Sequence, residues 1–168
     1  MTAKTYVDCF RLDGRDRYYL WQSDMEAGSF ETPIVQHRGQ LAVFGAEQAA
    51  REHAGGLGLP IADKAPFLHD LDAIGAWCDT PTLAALDYAT MACGAGLLDE
   101  LGVLGFDVGA APGEPDGPAA HLYDKLFMGL AAIDNPAAAA LKPLWVSGEL
   151  DTLARLLARG LTALRQRL

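Results

Sequence analysis

Hydrophobic period changes once along this chain, and that change constrains the fold more than any other feature. The first 45 residues read as strands joined by tight turns, with Tyr6, Phe10 and Leu12 at even positions of the 4–12 run and Asp8 among them. From residue 67 onward apolar side chains recur at intervals of three and four: Phe67, Leu71, Ile74, Cys78, then Leu83, Leu86, Thr90, Cys93, Leu97, Leu101. Period two belongs to strands and period 3.6 to helices, because those are the repeats at which side chains return to one face.

The early strands carry their own turn signals. Asp13-Gly14 supplies the positive φ angles of a tight hairpin between residues 4–12 and 17–22. In the returning strand Tyr19 and Trp21 face one way, Tyr18 and Leu20 the other. A second pair, 33–37 and 40–44, turns at Arg38-Gly39, so a four-stranded antiparallel meander is expected. A helix follows from Ala46 to the Gly55-Gly56 pair, with Glu47 in its first turn. Residues 57–66 are a connector with Pro60 and Pro66.

Beyond it a helix is expected from Phe67. Asp79-Thr80-Pro81 then reads as a restart, a capping residue followed by proline at the first helical position. Residues 102–118 hold five glycines and three prolines, too many for regular structure. Residues 119–133 return to helix, with Leu122, Leu126 and Leu130 or Ile133 inward, and 137–141 offer a short helical piece before Lys142-Pro143. Ser147 is an N-cap candidate for the last helix. There Leu150, Leu153, Leu157, Leu161, Leu164 and Leu168 form the clearest amphipathic stripe, and Gly160 is a place where it could bend. The 29 Ala and 25 Leu against 10 Val plus Ile favour helix over extended sheet. The expected architecture is α+β: a single domain over 1–168, with a β-rich part (1–56, one helix) packed against a helical part (57–168) containing the Gly/Pro-rich loop.

At 168 residues the chain is long enough to bury a self-supporting core. Its longest uncharged run is the 11 residues from Tyr88 to Leu98, short of a bilayer span, and the N-terminus has no apolar signal run. A cytoplasmic setting without membrane association is expected. Cys9, Cys78 and Cys93 are odd in number and form no CxxC or Cys/His metal pattern, so inert thiols in a reducing compartment are expected.

The net charge of −9 is segregated. Residues 1–56 carry −2, residues 57–136 carry −10 and residues 137–168 carry +3. An acidic surface repels phosphate, which argues against nucleic acid as a partner. It can steer a cationic one.

Motifs for chemistry are scarce. Gly94-Ala95-Gly96 lies inside a helical stripe and lacks the third glycine of a dinucleotide fingerprint, no phosphate-loop lysine motif is present, and Ser147 lacks a nucleophile elbow's flanking glycine. Tyr123-Asp124-Lys125 places a phenol, an acid and a base together without a cofactor motif. The pairs His69/Asp72 and His121/Asp124, each at i,i+3 on an expected helix, could together ligate a metal. They run opposite to the Glu-x-x-His order of bundle dimetal sites and lack the bridging glutamates.

Two classes of function follow. The first is a non-enzymatic acidic binding protein without cofactor, such as an immunity protein or antitoxin-like inhibitor of a basic toxin or nuclease. Asp70, Asp72, Asp79, Asp87, Asp99 and Glu100 would present its charge, with Tyr18 and Trp21 as aromatic anchors. The alternative is a small metal-binding helical protein or enzyme using His69, Asp72, His121 and Asp124. A third possibility is a homodimer that buries the last helix's leucine stripe.

Overall fold

The computed structural model describes residues 3–23, 34–37, 40–104, 120–135, 137 and 142–168. They form an α+β fold with one mixed four-stranded sheet and five helices. The chain divides into two compact units, residues 1–72 with 165–168, and residues 73–164. The Arg38-Gly39 turn and nearly all of the 102–118 loop and the 137–141 piece lie outside the described residues.

In the first unit β1 (Lys4–Leu12) and β2 (Arg15–Ser23) form the expected hairpin. Asp13 and Gly14 turn it with φ of 55° and 68°, values that the short polar side chain and the glycine tolerate best. Beyond the hairpin the sheet departs from the meander. β3 (Gln36–His37) and β4 (Gln40–Leu41) pair with each other in a separate two-stranded ladder; β5 (Val43–Phe44) joins β2, and Ile34 meets it through an isolated antiparallel bridge to Trp21, with Val35 N–H donating to the Leu20 carbonyl at 2.8 Å.

The fourth strand of the main sheet is β6 (Leu68–Asp70), which lies parallel to β1, so the order is β5-β2-β1-β6 and the sheet is mixed. Residues 67–70 were expected to begin a helix. Instead the Phe67 N–H donates to the Asp8 carboxylate at 2.8 Å, and the Phe67 carbonyl accepts from Cys9 N at 2.9 Å. Those bonds hold the backbone in the ladder, and helix α2 (Leu71–Asp79) begins only afterwards. Helix α1 (Glu47–Gly56) ends at its glycine pair and lays Ala50 and Ala54 on Val7 and Leu20, with Tyr18, Val35, Phe44, Leu59 and Ile61 packed around them.

In the helical unit α3 (Tyr88–Glu100) starts later than the Thr80-Pro81 signal implied. The Trp77 indole N–H takes the Thr82 carbonyl at 3.0 Å, and the Thr82 hydroxyl accepts from Ala85 N, so this stretch closes into turns. Asp87 is the actual cap: its carboxylate accepts from Ala89 N at 3.1 Å and from the Thr90 hydroxyl at 2.8 Å.

Helix α4 (Ala120–Asp134) turns Leu122, Leu126 and Ala132 inward, whereas Ile133 is exposed. Helix α5 (Glu149–Arg165) runs unbroken through Gly160, because that glycine accommodates a close neighbour: a β-carbon there would fall 2.8 Å from the Leu104 side chain. Leu153, Leu157, Leu161 and Leu164 are buried within the chain, while Leu150 is half-buried and Leu168 is exposed. Among the described residues no helix is long and apolar enough to cross a membrane.

Candidate partner-binding surface

The sheet sorts its aromatic residues by facing. Tyr18 is half-buried and packs against the cluster beneath α1. On the opposite face Trp21 stacks on Tyr6 at 4.4 Å between centroids and donates its indole N–H to Asp8 at 2.7 Å. Trp21 is half-buried and already held on two sides. Asp8 is a buried carboxylate bonded to both Trp21 and the Phe67 backbone. Deeper on this face lie Phe10 and Tyr19, and the Tyr19 hydroxyl meets His69 at 3.2 Å.

The six acidic residues singled out by sequence serve different ends. Asp70 is half-buried on β6. The Asp72 carboxylate accepts the backbone N–H groups of Asp13 and Gly14 at 2.7 and 2.8 Å, bracing the hairpin turn. Asp87 caps α3. Asp79, Asp99 and Glu100 are exposed, at the ends of α2 and α3.

Asp99 and Glu100 stand where a helix end is already negative, and that last turn contains no basic residue. Next to them on α4 is Tyr123. A β-carbon on Gly96 would lie 3.4 Å from the Tyr123 hydroxyl, which places the phenol in contact with α3. Burial, followed by the charges of Asp99, Glu100 and Asp124, pushes the Tyr123 hydroxyl up to about 12. Three carboxylates from two helices therefore act on one phenol.

The expected metal ligands are not brought together. His69 lies on a strand and Asp72 on the following helix, so they do not share a helical face. His121 pairs with Glu149 at 3.1 Å, while Asp124, three residues along, is exposed. Among the described residues no group of three or more His, Cys, Asp or Glu side chains is placed to hold a metal ion. The Tyr123-Asp124-Lys125 cluster also separates, since the Lys125 ammonium turns to Glu149 at 2.6 Å.

No protein-family model matches the chain. No curated protein matches it either. Among solved structures it is similar to the SatS C-terminal domain, crystallised in complex with bromine, with 13% identity and a TM-score of 0.44 over 96% of this chain and 89% of that one. A likeness this distant carries no argument.

Sequence reasoning missed the Glu149 carboxylate, which organises the start of α5. It accepts from Val146 N at 2.9 Å and from Lys125, and these bonds with the His121 contact hold its carboxyl below the usual range. Lys125 also reaches the Leu144 carbonyl at 2.7 Å and lies over the Trp145 ring. Beside this network is an open cleft of about 450 Å³ lined by His121, Ser147, Asp151, Thr152 and Arg155. Its acid and base side chains are mixed in sign, which gives it no clear preference for an anion or a cation. The sequence hints to the network were Lys125, 24 residues from its partner, and His121, singled out by sequence for another role.

Proposed function

We propose that the protein is a non-enzymatic acidic binding protein whose helical unit holds a basic protein partner. An immunity protein or antitoxin-like inhibitor of a basic toxin or nuclease is the instance that fits best. A nuclease must be basic to hold nucleic acid, so an acidic cover is the complementary surface.

The observation that carries this reading is the packing of Tyr123 on α4 over Gly96 of α3, one turn before the exposed Asp99 and Glu100 and next to the exposed Asp124. Two of those carboxylates oppose the dipole of their own helix, at a cost of about 0.3–1 kcal/mol each. Local rules are broken most often where a surface has work other than folding. Clustered like charge also focuses the field and speeds encounter with a cation-rich partner.

The test is affinity capture with the wild type and with an Asp99→Asn, Glu100→Gln, Asp124→Asn variant. A basic protein held by the wild type and released by the variant, with an association rate that falls steeply between low and high salt, supports the reading. Equal capture by both, or salt-independent association, removes it.

A further inference from the structure

The outward face of α4 carries exposed side chains that extend the acidic surface. His121, Asp124, Met128 and Ala131 follow at intervals of three, four and three, with Phe127 beside them, and all five are exposed. The inward residues Leu122, Leu126, Gly129 and Ala132 are buried. Phe127 and Met128 remain 40% and 45% exposed, large apolar side chains in water on a helix whose other face is fully packed. Phe127 lies 4.7 Å from the Tyr123 ring, so the apolar strip starts where the acidic residues converge.

We infer that this face seats an amphipathic basic helix of the partner, its apolar stripe resting on Phe127 and Met128 and its cations on Asp99, Glu100 and Asp124. The inference rests on the function proposed above and names the element recognised. Charge complementarity selects the occupant. Anionic lipid, nucleic acid and acidic peptides are repelled by the three carboxylates, whereas Lys and Arg can lay their methylene stems along an apolar strip and turn their charges to its border. Phenylalanine and methionine suit such a seat, and thioethers adapt to irregular partners. Phe127 and Met128 lie outside the buried core, and the urea midpoint of their double variant is measured beside its binding so that lost packing against Tyr123 is told apart from lost contact with the partner.

The probe is a synthetic 18-residue peptide of Leu and Lys at helical spacing, compared by fluorescence anisotropy with a peptide of identical composition in scrambled order. The helical peptide is expected to bind at least about tenfold more tightly than the scrambled one. A Phe127→Ser, Met128→Ser double variant should lose about tenfold, and the Asp99→Asn, Glu100→Gln, Asp124→Asn variant should both weaken binding and flatten its salt dependence. Equal binding of the two peptides overturns the inference. So does an unaffected Phe127/Met128 variant; if the charge variant is weakened in that case, the acidic-surface reading survives alone. If the charge variant also binds normally, both fall. Sedimentation showing a dimer that dissociates when Phe127 and Met128 are replaced would assign the face to a second copy and overturn the inference.

Discussion

Lys125 and Glu149 meet at 2.6 Å and tie α4 to the first turn of α5. Both side chains are largely withdrawn from solvent, with side-chain exposures of 20% and 14%, so their attraction is screened less than that of a surface pair. The Lys125 ammonium, the Val146 N–H and the His121 ring hold the Glu149 carboxyl below its ordinary range. Its contribution to stability is therefore complete above the ordinary carboxylate range and is lost as pH falls through the lowered folded value. Glu149→Gln should reduce the urea midpoint at pH 7, and the gap from wild type should close as unfolding is repeated from pH 5 towards pH 3. A gap that is constant with pH would place the effect outside the ion pair.

Gly129 is required by an aromatic neighbour. A β-carbon there would overlap the Tyr88 ring, whose hydroxyl accepts the Trp145 indole N–H at 2.8 Å. Gly129→Ala should cost about 1–3 kcal/mol through overpacking, despite alanine's better helix propensity. Adding the same change to a Tyr88→Ala background should reverse the sign, to a gain on the order of 0.5–1 kcal/mol, because only the propensity term remains. Denaturant unfolding of the four-member cycle measures both.

The field at Tyr123 can be read directly. Burial is the larger cause of its raised hydroxyl value of about 12, and Asp99, Glu100 and Asp124 add to it. Spectrophotometric titration of the Asp99→Asn, Glu100→Gln, Asp124→Asn variant, with Tyr123→Phe as the assignment control, should show the phenol titrating lower than in wild type. It should remain above the ordinary 10, since the burial is untouched. An unchanged titration would mean that the carboxylates do not share a field.

What was legible in the sequence is what local chemistry decides. Asp13-Gly14 specifies its own turn, the facing of Tyr18 against Tyr19 follows from alternation alone, and α1 stops at Gly55-Gly56. β6 was illegible because its ladder partners in β1 are about sixty residues away, and the spacing of four from Phe67 to Leu71 satisfies either period. The start of α3 was misread because a proline signal yields to the Trp77 bond with Thr82, which only tertiary placement provides. Charge segregation did point to Asp99 and Glu100. Their neighbourhood with Tyr123 and Asp124 follows from how α3 packs against α4, which no spacing encodes. Asp72 and Asp87 joined the same list on charge alone, since composition cannot tell a carboxylate at an exposed helix end from one bound to backbone N–H groups.

Asp72 gives a measurable instance of that distinction. Its two oxygens accept the Asp13 and Gly14 N–H groups, donors in a turn that would otherwise look to water. Asp72→Ala should lower stability by about 1–3 kcal/mol, and Asp72→Asn, with one accepting oxygen left, by less. Amide hydrogen exchange at Gly14 should accelerate in both. Unchanged exchange there would show that the carboxylate does not hold the turn.

Cys78 tests whether the thiols are inert. It is half-buried, and burial together with the neighbouring Asp79 charge pushes its thiol up to about 11 from 9. Only the thiolate attacks an alkylating reagent, so a rise of two pH units leaves roughly a hundredfold less of the reactive form at pH 8. Iodoacetamide labelling followed by peptide mass spectrometry should therefore modify Cys78 about a hundredfold more slowly in the folded chain than in urea. Asp79→Asn should recover a small part of that difference, because burial is the larger cause. Labelling at the unfolded rate would mean that the site opens to solvent on the timescale of the reaction.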